Sequence, residues 1–205
     1  GYGQTGPLKD RAGHDINFLA LSGLASFSGQ KNTGPVLSGT QIADIAGGSH
    51  HAVMAVLAAV IQRSNLGTGQ YLDISMTDAT LALTTLHSAG TLVNGQSPSY
   101  GTELLNGGNF YGYYETKDGG YLSIGSLEPQ FASEMLKRLT LEDWQNNIHR
   151  NDVKIQAALR CAIAEKIKRQ SLSYWQEIFS DLDLCIEPVL SLKAATEHPH
   201  FIERQ

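Results

Sequence analysis

Asn94-Gly-Gln-Ser-Pro-Ser-Tyr-Gly-Thr-Glu-Leu-Leu-Asn-Gly-Gly-Asn109 is the stretch on which the fold turns. Gly95, Gly101, Gly107 and Gly108, with Gly90 just ahead and Pro98 among Asn and Ser residues, make the composition of a connector. Beyond it, Tyr111–Glu115 and Tyr121–Gly125 flank Lys117-Asp-Gly-Gly120, which predicts a β-hairpin. Helices are predicted from Pro129 to Leu139, Asp152 to Arg169 and Ser171 to Phe179, then a strand over Cys185–Leu190. Ahead of the connector, Gly1–Pro7 reads as a loop and Ile16, Phe18, Leu19, Leu21 and Leu24 as one amphipathic helix over His14–Phe27. Gly29–Gly39 is again loop, Asp44–Arg63 the strongest helical segment, Tyr71–Met76 an alternating strand, and Asp78–Val93 a further helix. The pattern is α/β: two mixed modules, 1–93 and 111–190, joined by residues 94–110, with 191–205 leaving the second.

The chain has 205 residues, 15 Lys+Arg against 20 Asp+Glu, and a formal charge of −5. Hydrophobic residues at 41% and charged residues at 17% fit a globular protein rather than a disordered one. With no basic run, no nucleic-acid partner is expected. Cys161 and Cys185 are too few for a disulfide framework and read as reduced core residues. The longest apolar run, Ala52–Ile61, falls short of the roughly 20 residues that span a bilayer. No signal peptide or glycosylation sequon is visible, so a cytoplasmic location is expected. An opening in loop chemistry without Met leads us to expect a piece of a longer polypeptide.

Gly1-x-Gly3-x-x-Gly6 spells a dinucleotide fingerprint, but Pro7 follows it and no strand is visible before it. Helix amides are what hold a pyrophosphate, so a turn is the better reading. His50-His51 and His198-Pro-His200 lack the three or four convergent ligands of a zinc site, and no metal is expected. No Gly-x-Ser-x-Gly elbow or Walker loop is present. Three segments remain, Ala12-Gly-His-Asp-Ile-Asn17, Ile42-Ala-Asp-Ile-Ala-Gly-Gly48 and Gly125-Ser-Leu-Glu-Pro-Gln130. Each puts an ionisable side chain beside glycine at the head of a predicted helix. Taken singly, each is explained by capping and the helix macrodipole.

Together these segments carry a resemblance. Gly1-Tyr-Gly-Gln-Thr-Gly-Pro7, Ala12-Gly-His-Asp15, Gly67-Thr-Gly-Gln70, Tyr71-Leu-Asp-Ile-Ser-Met76, Leu105-Asn-Gly-Gly108, Leu127-Glu-Pro-Gln-Phe131 and Pro188-Val-Leu190 run through nearly the whole chain. In them the chain resembles the family III CoA-transferase superfamily, and within it the α-methylacyl-CoA racemase branch. The resemblance implies part of a larger fold, a helix-rich α/β domain plus a smaller α+β domain, in an intertwined homodimer. Residues 191–205 would begin the return to the large domain. The transferase branch shares the aspartate matched by Asp44, while His14 and Glu128 match motifs of the racemases.

The chemistry explains why a racemase needs these groups. Inverting a carbon takes a base on one face and an acid on the other. The resemblance gives those roles to His14 and Asp44, with Glu128 orienting His14 and steadying its imidazolium. Burial between Ile42 and Ile45 is expected to help Asp44 hold a proton. A thioester enolate needs an oxyanion donor, for which the backbone N–H of Asp15 is the candidate. Tyr111, Gly47 and Gly48 are expected at the substrate pocket, and Lys9, Arg11 and Arg63 are candidates to hold CoA phosphates. The partner is then an acyl-CoA thioester, with coenzyme A part of the substrate and no separate cofactor. Two alternatives stay open: a CoA-transferase using Asp44 as an anhydride-forming nucleophile, and a non-catalytic CoA-binding fragment. Methyl-branched fatty acyl, bile-acid and aromatic propionyl thioesters all present the same reacting carbon.

Overall fold

The computed structural model describes residues 1–204. It divides inside the glycine-rich stretch, into Gly1–Gly101 and Thr102–Gln205. In the first unit Gly3 and Gly6 take φ of +92° and +79° in an irregular loop. The first helix, α1 (Asp15–Leu21), begins well beyond them, so the glycine run makes turns and opens no helix. Gly23, at φ +84°, stops the helical path that the sequence carries to Phe27, leaving one 3₁₀ turn at Leu24–Ser26. Two short strands, β1 (Gly29–Gln30) and β2 (Gly34–Pro35), then pair antiparallel.

Ala43–His50 winds as a π-helix and runs directly into α2 (His51–Leu66), which ends at Gly67 in the left-handed region. Next come α3 (Met76–Leu83), capped by Ser75 Oγ accepting the Asp78 N–H, and α4 (Thr85–Asn94). The single helix expected over 78–93 is thus two. Thr84 and Thr85 hydroxyls donate to the Leu81 and Ala82 carbonyls, competing with the helical ladder where it breaks. Tyr71–Met76, expected as a strand, joins no sheet among the described residues. It is tied instead to the N-terminal loop, where the Met76 N–H donates to the Gly1 carbonyl and the Gln4 N–H to Asp73 Oδ2, both at 2.9 Å.

The buried residues of this unit include Phe18, Phe27, Ala43, Ala79 and Thr80. Tyr2 packs edge-on against Phe18, and a Cβ on Gly13 would lie 2.9 Å from both the Phe18 ring and the Tyr2 hydroxyl. A larger residue before His14 would have to displace these rings. The continuous helix Ala43–Leu66 spans 24 residues and by length and composition is apolar enough to cross a membrane. The unbroken apolar run read from the sequence, Ala52–Ile61, is one part of this longer helix. The helix begins with protein packing, Ala43, Gly47 and Gly48 being buried, whereas Val53, Met54, Leu57 and Ile61 are exposed.

The second unit is built on the antiparallel sheet β3 (Gly112–Glu115), β4 (Tyr121–Ile124) and β5 (Ile186–Pro188), in that order. Glu115 pairs with Tyr121 across the predicted hairpin, and Leu122 with Pro188. Between β4 and β5 lie α5 (Pro129–Arg138), α6 (Val153–Ile167) and α7 (Leu172–Phe179), with Pro129 in the first turn of α5. Asp152 and Ser171 cap α6 and α7 with their side-chain oxygens. In the hairpin turn, Asp118 accepts from the Thr116 hydroxyl and the Leu172 N–H, bonds that hold its carboxyl below the usual range. Two short helices, α8 (Leu192–Thr196) and α9 (Pro199–Glu203), follow β5 and group with this unit.

Period-2 and period-3.6 apolar faces meet in one core that includes Leu122, Ile124, Met135, Leu136, Ile163 and Trp175. Tyr114 belongs to it, and burial pushes its phenol up to about 12 against the opposing pull of Arg160. The stretch from Thr102 to Asn109 is held by this unit and is not free connector. The Arg160 guanidinium donates to the carbonyls of Asn109 (3.0 Å) and Tyr111 (3.2 Å). The cysteines, expected in the core, are both exposed. Cys161 falls off the buried face of α6 defined by Leu159 and Ile163, and Cys185 sits in a left-handed turn at φ +55°. Replacing fully buried Ile163 with alanine should cost about 2–5 kcal/mol of stability. Val153→Ala, at the exposed start of the same helix, should cost under about 0.5 kcal/mol. Paired urea unfolding curves of the two variants check the contrast.

Candidate active site

His14 is the N-cap of α1, with extended backbone, and its main-chain N–H donates to Asn17 Oδ1 at 3.0 Å. Asn17 answers the His14 main-chain N–H, and His14 is exposed. Asp15, the first helical residue, turns its carboxylate inward. Its Oδ1 accepts the N–H of Ala43 at 2.6 Å and that of Asp44 at 3.3 Å. Asp44 lies in the first turn of the π-wound segment and is half-buried. The head of α1, the loop 37–41 and Asp44 enclose a cleft of about 390 Å³, and His14, Asp15 and Asp44 all line it. One imidazole and one carboxylate, on separate elements cross-linked by a third side chain, can exchange protons with one bound carbon or one acyl group.

Other expected site residues are placed differently. Gly47 and Gly48, expected at the substrate pocket, are buried against α3 and do not line this cleft. A Cβ on Gly47 would meet Thr80 Oγ1 at 2.9 Å, and one on Gly48 would meet the Met76 side chain at 3.1 Å. They are small where two helices meet. Ile45, expected to help bury Asp44, is 44% exposed. Lys9, Arg11 and Arg63 are exposed, and among the described residues none forms a salt bridge. The Asp15 N–H stands at the first helical position of α1, where helix geometry supplies no acceptor.

Glu128 and Tyr111 belong to the second unit. Glu128 is the N-cap of α5, exposed, with extended backbone. Tyr111 lines a cavity of about 180 Å³ with Gly125, Ser123 and Cys185. The Cys185 thiol is raised by desolvation and by the carboxylates of Glu128 and Asp183. The histidine pairs serve locally: His51 Nδ1 lies 2.7 Å from the Ala46 carbonyl, and His198 Nδ1 accepts the His200 N–H. Among the described residues no cluster of three His, Cys, Asp or Glu side chains could hold a metal ion. Sequence reasoning missed the Asp15 carboxylate as a helix anchor, because its partners lie 28 and 29 positions away and no local spacing announces them.

The description "CoA-transferase family III" matches residues 1–205, and the chain belongs to that family. It is 34% identical to human α-methylacyl-CoA racemase over 209 residues, covering 100% of this chain and 53% of that protein. It is 28% identical to human succinyl-CoA:glutarate CoA-transferase over 207 residues, covering 98% of this chain and 47% of that protein. The fold matches a CAIB/BAIF family protein of Brucella suis with a TM-score of 0.80 at 22% identity, over 100% of this chain and 55% of that one. The chain spans about half the length of the relatives it matches.

Proposed function

We propose that this chain contributes the proton-transfer site of an acyl-CoA racemase acting at the α-carbon of a 2-methyl-branched thioester. The observation that carries the reading is that His14 and Asp44 line the same cleft. In one direction neutral His14 takes the α-proton, the electrons move into the thioester carbonyl, and protonated Asp44 returns a proton to the other face of the carbon. In the reverse direction the roles exchange. The Asp15 N–H, at the head of α1, is the donor assigned to the enolate oxygen. Glu128 is the carboxylate that orients His14 in this reading, supplied by the second copy in a homodimer. Lys9, Arg11 and Arg63, exposed on the first unit, are the cations offered to CoA phosphates. Coenzyme A enters and leaves as part of the substrate.

A transferase in which the Asp44 carboxylate attacks the thioester is the second reading, favoured by the likeness to succinyl-CoA:glutarate CoA-transferase over nearly the whole chain. Incubation of a single 2-methylacyl-CoA epimer in deuterated water, with and without a free carboxylic acid, separates the two. We expect α-deuterium in the thioester and appearance of the other epimer, with no passage of CoA to the acid. CoA transfer without exchange would replace the racemase reading by the transferase one. Binding of CoA, seen by titration calorimetry, without either reaction would leave a CoA-binding protein.

A further inference from the structure

We infer that the Asp15 carboxylate is a positioning residue that sets where Asp44 stands relative to His14, an inference that rests on the racemase reading. Asp15 is only 9% exposed, and its Oδ1 reaches the main-chain N–H groups of both Ala43 and Asp44. Ala43 is fully buried, so its N–H has no solvent to turn to. The segment that starts there is π-wound, with i→i+5 hydrogen bonds, which leaves its first N–H groups without intrahelical acceptors. A carboxylate accepts these N–H groups and complements the positive end of the helix dipole.

The connection is unusually direct for catalysis. Asp15 is the neighbour of His14 along the chain and holds the backbone of Asp44 itself. One side chain therefore ties the residue next to one base to the backbone of the residue bearing the other. Inversion depends on that tie, because both groups must reach one carbon from different sides. Misplacement by about 1 Å costs on the order of 100-fold in rate. His14 keeps its own support, the bond from its N–H to Asn17, when Asp15 is altered. Loss of the carboxylate should therefore displace Asp44 more than His14, and the damage should fall on one face of the substrate.

The test uses the full-length protein with Asp15→Ala, Asp15→Asn and Asp44→Asn variants. Each (R)- and (S)-2-methylacyl-CoA is incubated separately in deuterated water, and exchange and inversion are followed together. For Asp15→Ala we expect kcat for inversion to fall about 100-fold while KM stays within about threefold. Exchange should be lost mainly from the epimer that Asp44→Asn also loses. Asp15→Asn keeps an oxygen that can accept both N–H bonds and should recover most of the rate. Inversion by Asp15→Ala at the wild-type rate, equal loss from both epimers, or an Asn variant as impaired as the Ala variant would overturn the inference and leave the racemase reading standing. A wild-type protein that neither exchanges nor inverts would remove that reading, and this inference with it.

Discussion

Replacing His14 with alanine in the full-length protein should lower inversion of a 2-methylacyl-CoA by about 10²–10⁴-fold, the range expected for losing a positioned acid–base group. The fold should not register the change. His14 is exposed, and its structural work at the start of α1 is done by its backbone N–H on Asn17. The melting transition should therefore stay within about 0.5 kcal/mol of wild type. Exchange should survive from the epimer whose α-proton faces Asp44, since that carboxylate can still remove and return a proton on its own face. Asymmetric exchange without inversion, read by mass and chiral separation of the product acids, is the outcome that identifies His14 as a base. Inversion by the His14→Ala protein at near the wild-type rate would remove it from the mechanism.

What the sequence made legible follows the range of the interactions involved. The hairpin around Lys117-Asp-Gly-Gly120 and the helix opening at Pro129 are local devices, and they stand where turn chemistry and capping put them. The Tyr71–Met76 alternation failed as a strand because its partner is an irregular loop at the chain start, which periodicity cannot see. The helix bearing Asp44 was readable, but its π-winding was not. The wound segment packs Gly47 and Gly48 against α3 and carries the Asp15 carboxylate at its head, both contacts with residues distant in sequence. The same packing gives the two glycines beside the candidate catalytic aspartate a helix contact that no local pattern announces. His14 and Asp44 were each readable as capping residues. The shared cleft comes from the return of the chain through the loop 37–41, a tertiary fact with no local signature.

The two readings of the function give Asp44 different chemistry, so its substitution should have the larger effect on reaction type. As the acid–base partner of His14 it needs a proton to give, and Asp44→Asn, which cannot take one up, should lose inversion by about 10²–10⁴-fold. Exchange at the face served by His14 should continue. As a nucleophile, by contrast, Asp44 would carry an acyl anhydride, formed when its oxygen displaces CoA thiolate from the thioester. Hydroxylamine present during turnover would then convert Asp44 to a hydroxamate, one mass change at one residue, readable in a digest. The cleft offers either course in principle, because the half-buried carboxylate lines it. His14 separates them: proton transfer needs an imidazole on the same cleft, whereas anhydride formation does not. With His14 and Asp44 lining one cleft, we expect no hydroxamate at Asp44 when acyl-CoA and a carboxylic acid are both supplied. A hydroxamate there, together with undiminished CoA transfer in His14→Ala, would assign the protein to the transferases and make His14 a bystander on the rim.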